Sequence, residues 1–254
     1  MINIALSGCC GKMGHAVSAS VEQRDDCKIL CGVDVYNDNT YNFNIYSNFS
    51  EIKEKCDVII DFSNPGCLNG LLQFARANKV PAVICTTGYS KEEIESIKAA
   101  SREIPVFYSG NMSLGINLLI EISKQAARVL GDTFDIEIVE KHHNQKIDAP
   151  SGTALMIADG ISGELAEEPQ YVYDRHSYRK KRSKNEIGLH SVRGGTIVGE
   201  HDVIFAGHDE VVTISHSAQS KGVFAAGAVN AAVFIADKPA GMYDMSQLLS
   251  DKLS

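Results

Sequence analysis

The chain has 254 residues, 44% of them apolar, which is enough to bury the core of one large domain or of two smaller ones. Its formal net charge of −8 at pH 7 argues against a general nucleic-acid binder. No stretch reaches the apolar length that crosses a bilayer, and the first residues lack the basic region of a signal peptide. We therefore expect a cytoplasmic protein with neither nucleic acid nor membrane as a partner.

The first strand-like run, Ile2 to Leu6, leads through glycines at 8, 11 and 14 into a helix that we predict from Ala16 to Arg24. Glycines in such a turn let the backbone approach a pyrophosphate, which the helix N-terminus then faces. The Gly-x-x-Gly-x-x-Gly spacing departs from the commonest fingerprint, and a glycine turn between strand and helix also occurs without a nucleotide. The motif alone leaves both interpretations open.

The next strand-like run, 28–33, strengthens the dinucleotide interpretation because it ends in Asp34, twenty residues beyond Gly14. A carboxylate there binds the ribose hydroxyls of the adenosine. No arginine follows to receive a 2′-phosphate, which favours NADH, although Lys12 near the phosphates leaves NADPH open. The predicted cofactor contacts in this segment are Gly8, Cys9, Cys10, Gly11, Lys12, Met13 and Asp34.

Strand-like runs at 58–62, 83–86 and 106–108 alternate with helical stretches near 65–78 and 90–101. This alternation predicts a Rossmann-like α/β domain with a doubly wound parallel sheet, whose ligands collect at the carboxyl ends of the strands. The candidate nicotinamide contacts at those ends are Phe62, Cys85, Thr86, Thr87, Ser109, Gly110, Asn111 and Met112. The same sequences are also typical of ordinary turns.

The seven cysteines all lie between positions 9 and 85 and include no Cys-x-x-Cys pair. We interpret them as reduced thiols packed like small apolar side chains, and we expect no metal.

After a long helix at 114–129, the chain changes to a second α+β domain with a mixed or antiparallel sheet. Its predicted strands are 134–140, 187–192, 197–206 and 210–216, with a covering helix near 153–164 and a last helix at 223–236. We predict a dinucleotide-binding domain of residues 1–112 with 223–254, and a substrate-binding and oligomerisation domain of residues 113–222.

The stretch from 142 to 154 carries the most chemistry, because it places His142, His143 and Lys146 between a strand end and the Ser-Gly-Thr start of a helix. Imidazole and ammonium groups can hold and protonate an anion, and the helix start at Gly152 and Thr153 offers unpaired backbone N–H groups. A metal site would need a third ligand, and neither a His-x-x-x-His pair nor a cysteine lies nearby. An anion site is therefore the favoured interpretation.

The only basic run, 175–184, is interpreted as a solvated loop, with long-range attraction of an anion as the alternative. Arg193, His201 and His216 are further polar candidates at strand ends.

The stretch from Glu140 to Ala154 resembles the signature of the 4-hydroxy-tetrahydrodipicolinate reductase family, long called dihydrodipicolinate reductase. Other matching segments are 8–14, 61–63, 86–88, 111–113, 193–195, 199–201 and 241–245. The resemblance thus covers nearly the whole chain. It implies a two-domain, cytoplasmic homotetramer of the lysine and diaminopimelate pathway.

The resemblance also implies hydride transfer from NADH or NADPH to C4 of a cyclic dicarboxylate, with loss of its hydroxyl as water. It gives His142 the role of proton donor and Lys146 that of second acid and carboxylate partner. His143 corresponds to a substrate contact, and Gly152 and Thr153 correspond to the backbone donors for a substrate carboxylate. A histidine can supply a proton at neutral pH, and which of His142 and Lys146 does so stays open.

Two segments depart from the family pattern, with Cys85 in place of a glycine and Ser109-Gly110 in place of Ala-Pro. These differences affect the predicted cofactor preference more than any other prediction. Cys9 and Cys10 would lie beside the pyrophosphate, where oxidation of the thiols would inhibit.

Two other functions fit the sequence less well than this reductase. Another two-domain NAD(P)-dependent dehydrogenase, such as one acting on an amino-acid semialdehyde, does not explain the paired histidines followed by Lys146 and Ser-Gly-Thr. A non-catalytic dinucleotide sensor does not explain the intact His142 and Lys146.

Overall fold

The computed structural model describes residues 1–37, 40–177 and 179–253. Internal contacts divide the chain into two compact units, Met1–Leu114 with Lys221–Ser254, and Gly115–Ser220. These bounds lie two residues from the predicted ones. The assignment of cofactor binding to the first unit and of substrate binding to the second stays a prediction.

The first unit is a Rossmann-like α/β fold with a parallel sheet. Its strands are β1 (Ile2–Ser7), β2 (Cys27–Val33), β3 (Asn44–Tyr46), β4 (Val58–Asp61), β5 (Ala82–Ile84), β6 (Pro105–Tyr108) and β12 (Gly241–Tyr243). Its helices are α1 (Lys12–Val21), α2 (Leu68–Asn78), α3 (Lys91–Ala100), α6 (Gly222–Ile235) and α7 (Met245–Leu253). Across the sheet the strand order is β12-β6-β5-β4-β1-β2-β3, with every pairing parallel, which confirms the predicted fold class.

Apolar clusters cover both faces of this sheet. Ile4 and Leu6 of β1 belong to the cluster that includes α1 and α6, whereas Ala5 between them belongs to the cluster that includes α2 and α3. Successive side chains of a strand point to opposite faces, so a strand buried on both faces reads as one apolar run. That is the run that identified β1, β4 and β5 in the sequence.

The predicted start of the first helix was wrong. Helix α1 begins at Lys12 rather than Ala16 and ends at Val21 rather than Arg24. The reason is Gly14, which is a poor helix former but packs within the helix against the turn before it. Strands β3, β8 and β12, each of three residues, were also missed, as was the polar helix α7.

We expect Gly14→Ala to lower the free energy of unfolding by about 1–3 kcal/mol, because the added methyl group would overpack the turn. A Cβ at this position would lie 2.3 Å from the carbonyl oxygens of Gly8 and Cys9. Urea unfolding measures the loss. Gly70→Ala in α2 is the matched control, since its Cβ would make an ordinary 3.8 Å contact with Phe49. Equal stabilities for the two variants would contradict the expectation.

The second unit contains a mixed sheet and α4 (Leu114–Leu130), which begins at the boundary between the units. The other elements are β7 (Asp135–His142), α5 (Gly152–Ser162), β8 (Gln170–Val172), β9 (Glu186–Arg193), β10 (Gly199–Ala206) and β11 (Val211–Ala218). The strand order is β11-β10-β7-β9-β8. Pairing is antiparallel from β11 to β7 and parallel from β7 to β8, which confirms the mixed sheet.

None of the helices in the described part of the chain is long and apolar enough to cross a membrane.

Candidate active site

The turn after β1 has a backbone conformation that requires glycine. Gly8 has a positive φ of 74°, and a Cβ there would lie 2.5 Å from the carbonyl oxygen of Phe62. The Gly11 N–H donates to the Gly8 carbonyl at 3.1 Å, and Gly11 then caps α1 without a side-chain hydrogen bond. The first turn of α1 contains no acidic residue, so its N–H groups and the helix dipole favour an anion.

The carboxylate of Asp34 lies against this turn. Its Oδ2 accepts the Cys10 N–H at 3.0 Å, and its Oδ1 accepts the Tyr36 N–H at 3.1 Å. The predicted residues of the turn and the predicted ribose carboxylate therefore lie together in the first unit, with Lys12 and Met13 in the first turn of α1.

A cavity of about 430 Å³ opens at the carboxyl ends of β4, β5 and β6. Nine predicted cofactor contacts line it: Met13, Phe62, Cys85, Thr86, Thr87, Ser109, Gly110, Asn111 and Met112. The remaining predicted contacts, at the glycine turn and Asp34, are not part of its lining.

Asp61, at the end of β4, supports this cavity and was not among the predicted contacts. It is buried and accepts hydrogen bonds at 2.6 Å from the hydroxyls of Thr86 and Ser63. The sequence could have indicated Asp61, because it is an acidic residue at the end of an apolar strand.

In the second unit, the sheet register brings polar residues of three strands together. His142, the last residue of β7, lies opposite Arg193 of β9. Glu140, two residues earlier on the same buried face, lies opposite His201 of β10. The imidazole rings of His142 and His201 pack edge to face with their centroids 5.3 Å apart.

Glu140 is the centre of this network. Its Oε2 lies 2.6 Å from Nδ1 of His142, and Arg193 donates to its two oxygens at 2.7 and 2.8 Å. The Ser151 N–H donates to Oε1 at 3.1 Å. Burial alone would raise the pKa of Glu140, but the hydrogen bonds from Arg193 and His142 outweigh it and lower the pKa to about 2. The residue is therefore a carboxylate at neutral pH.

A carboxylate can only accept hydrogen bonds, so Glu140 requires the proton of His142 to be on Nδ1 when the imidazole is neutral. The second ring nitrogen, Nε2, lies beside Gly199, where a Cβ would come within 3.1 Å. Glycine thus leaves room at the nitrogen that would carry a transferable proton.

His201 does not share the environment of His142. It is 3% exposed, its Nε2 lies 3.2 Å from the Ser151 hydroxyl, and its Nδ1 has no hydrogen-bond partner among the described residues. Burial, followed by the charge of His142, lowers the pKa of His201 to about 4. His201 is therefore neutral near pH 7.

We expect His201→Gln to reduce the acid sensitivity of the fold. The pKa of His201 is lower in the folded chain than its ordinary value of 6.5, so the unfolded chain binds more protons between these two values. Stability therefore decreases as the pH falls from about 6.5 toward 4. Between pH 7 and pH 5 the wild type should lose about 2 kcal/mol more than His201→Gln.

Urea unfolding at the two pH values measures this difference. His208→Gln is the control, because the His208 side chain is 96% exposed and should leave the pH dependence unchanged. The same pH dependence in His201→Gln and in the wild type would contradict the expectation.

Lys146 holds a carboxylate next to the start of α5. Its Nζ lies 2.9 Å from Oδ1 of Asp148, and hydrogen bonds from Lys146 and from the Gly152 backbone help to lower the pKa of Asp148. Ser151 caps the helix by accepting the Ala154 N–H at 3.1 Å. Lys146 and the start of α5 therefore already bind one carboxylate, that of Asp148.

The other two predicted substrate contacts lie close by. His143 follows β7 directly and is half-buried, and its carbonyl accepts the Lys146 N–H at 3.1 Å. Thr153 is in the first turn of α5, next to Gly152. The structure thus brings the predicted residues of this stretch to one strand end and one helix start.

The basic run makes ion pairs with neighbouring strands. Its residue Tyr178 lies outside the described part of the chain. Arg175 pairs with Glu137 and Glu186, and Arg182 pairs with Asp135 and Glu137. These pairs favour the structural interpretation of the run over attraction of an anion.

Comparison with known proteins gives a consistent result for both units. Residues 2–112 match the family model "Dihydrodipicolinate reductase, N-terminus", and residues 115–249 match "Dihydrodipicolinate reductase, C-terminus". The chain is 53% identical to a 4-hydroxy-tetrahydrodipicolinate reductase of Caldanaerobacter subterraneus subsp. tengcongensis over 251 residues, 98% of each chain. It is 47% identical to one of Clostridium tetani, again over 98% of each.

A solved structure, dipicolinate-bound dihydrodipicolinate reductase from Paenisporosarcina sp. TG-14, is similar with a TM-score of 0.80. The alignment covers 96% of this chain and 97% of that one at 23% identity, so this similarity concerns the fold.

Proposed function

We propose that this chain, which belongs to the dihydrodipicolinate reductase family, reduces 4-hydroxy-tetrahydrodipicolinate to tetrahydrodipicolinate in the route to diaminopimelate and lysine. The reaction consumes NAD(P)H and one proton, and it releases NAD(P)⁺ and water. When bound, the nicotinamide supplies the hydride to C4 of the substrate. This chain must then bind both molecules and supply the proton.

The observation that carries the proposal is the buried Glu140–His142 pair. Hydride addition to a conjugated imine leaves an enamine-like anion that needs a proton, and an imidazole can donate one at neutral pH. Glu140 orients the ring through Nδ1 at 2.6 Å. We assign proton donation to Nε2 of His142.

We assign binding of a substrate carboxylate to Lys146, Gly152 and Thr153, with His143 as a further contact. The support is the Asp148 carboxylate, which Lys146 and the Gly152 backbone already bind. A substrate carboxylate offers the same charge and the same acceptor atoms. Lys146 is then the second acid of the site.

We assign the dinucleotide to the first unit. The turn residues Gly8, Cys9, Cys10, Gly11, Lys12 and Met13 would bind the pyrophosphate, with Asp34 on the adenosine ribose. The cavity lined by Phe62, Cys85, Thr86, Thr87, Ser109, Gly110, Asn111 and Met112 would receive the nicotinamide end. The family fold and the start of α1, which has no side-chain cap, support this placement.

We propose NADH as the preferred cofactor because Asp34 would repel a 2′-phosphate and no arginine follows it. A coupled assay that supplies the pathway substrate with each reduced cofactor in turn tests the function and the preference together. The expected result is substrate-dependent oxidation with a higher kcat/KM for NADH. Absence of turnover with both cofactors would contradict the reductase and favour a dinucleotide sensor.

We further propose a cytoplasmic homotetramer that assembles through the second unit. Light scattering coupled to gel filtration tests the subunit number.

A further inference from the structure

The glycine turn contains two adjacent cysteines, whose side chains the proposed reaction does not use. Cys9 is fully buried and Cys10 is partly buried, and their sulfur atoms are 3.9 Å apart. This separation is too long for a disulfide bond, for which the two sulfurs lie about 2.05 Å apart.

The sulfur separation fits two thiolates that bind one tetrahedral metal ion. Zinc–sulfur bonds of about 2.3 Å at a tetrahedral angle place the two sulfurs about 3.8 Å apart. A carboxylate oxygen of Asp34 lies within 4.8 Å of both sulfurs, which supplies a third ligand. Two thiolates and one carboxylate favour a soft or borderline divalent cation over Mg²⁺ or Ca²⁺.

The surroundings hold the sulfur atoms in this arrangement. The Cys10 N–H donates to Asp34, which ties the carboxylate to the cysteine pair. Gly32 of β2 also adjoins the pair, since a Cβ there would lie 2.5 Å from the sulfur of Cys9. Any larger residue at position 32 would displace that thiol.

The charge of the site also favours a cation. The Asp34 carboxylate lies beside the two sulfur atoms, and a divalent cation would offset its negative charge.

We propose that Cys9, Cys10 and Asp34 form a binding site for one thiophilic divalent cation, and that its occupancy prevents dinucleotide binding. Both thiols release their protons to solvent, the two sulfurs and one carboxylate oxygen bind the ion, and nothing is oxidised or reduced. The second part rests on the proposed function, since Asp34 would have to bind either the ion or the adenosine ribose.

Titration of the purified, reduced enzyme with Cd²⁺ tests the first part, because cadmium thiolates absorb in the near ultraviolet. We expect one equivalent of Cd²⁺ to produce this absorbance. Cys10→Ser and Asp34→Asn should each weaken Cd²⁺ binding at least about tenfold. Zn²⁺ should displace the bound cadmium. The matched control is Cys67→Ser, which removes a partly buried thiol from another segment and should bind Cd²⁺ like the wild type.

Wild-type absorbance in Cys10→Ser, or its loss in Cys67→Ser, would overturn the metal site. The far-ultraviolet circular dichroism of each variant shows whether the fold is retained, and Cys9→Ser gives a second test if Cys10→Ser is unfolded.

Fluorescence titration with NADH in the presence and absence of Cd²⁺ tests the second part. We expect Cd²⁺ to weaken NADH binding at least about tenfold in the wild type and not in Cys10→Ser. Normal NADH affinity with cadmium bound would refute the exclusion, while the thiolate absorbance would still support the metal site. Failure of the reductase assay has no bearing on the cadmium titration.

Discussion

His142→Gln is expected to lower kcat by about 10²- to 10³-fold while KM changes less than about threefold. Glutamine can keep a hydrogen bond to Glu140, but it cannot donate a proton to a carbanion at neutral pH. The binding groups at Lys146 and Gly152 are unchanged, so the loss should fall on the chemical step. Steady-state kinetics with saturating NADH measures both constants.

His190→Gln is the matched control for this prediction. His190 of β9 also pairs with a glutamate of β7, since its Nε2 lies 2.6 Å from Oε2 of Glu137, but Glu137 is not in the Glu140 network. This variant should keep wild-type kcat. A kcat near the wild-type value in His142→Gln would refute proton donation by this residue.

Glu140→Gln separates positioning from proton donation. The amide keeps the shape of Glu140 but replaces the charged hydrogen bond to Nδ1 of His142 with a weaker neutral one, so the ring is held less firmly and kcat should fall about tenfold. KM should change less than about threefold, because the binding groups at Lys146 and Gly152 are unchanged. A kcat near the wild-type value would contradict this positioning role.

The fold was readable from the sequence because burial on both faces makes a parallel strand one continuous apolar run. β4 is such a run, and it lies between β1 and β5 in the middle of the sheet. β3 and β12 have only three residues each and lie at the two edges, so neither shows a usable period. Their pairing depends on the sheet that precedes them rather than on their own side chains.

The candidate site could be predicted only where its residues are close in sequence. His142, Lys146 and Gly152 fall within one stretch, and local chemistry was enough to group them. Arg193 and His201 join them through the register of β9 and β10 against β7, which no local pattern specifies. Glu140 could have been found, since residues two apart in a strand share a face.

Lys146→Ala is expected to lower kcat by about 10²-fold and to raise KM by about tenfold. Its ammonium group is proposed both to bind a substrate carboxylate and to act as second acid. The present partner of Lys146, Asp148, is largely exposed, so a substrate carboxylate can take its place at little cost.

Lys141→Ala is the control that separates this local role from a general loss of positive charge. Lys141 precedes His142 on β7 but pairs with Glu200 and Asp202 at 3.1 and 3.0 Å, on the face opposite to Glu140. It should therefore leave kcat and KM close to the wild-type values. If both lysine variants raise KM equally, the effect is long-range electrostatics. Direct binding of the carboxylate is supported only if the increase in KM is confined to Lys146→Ala, because a contact at the helix start depends on position as well as charge.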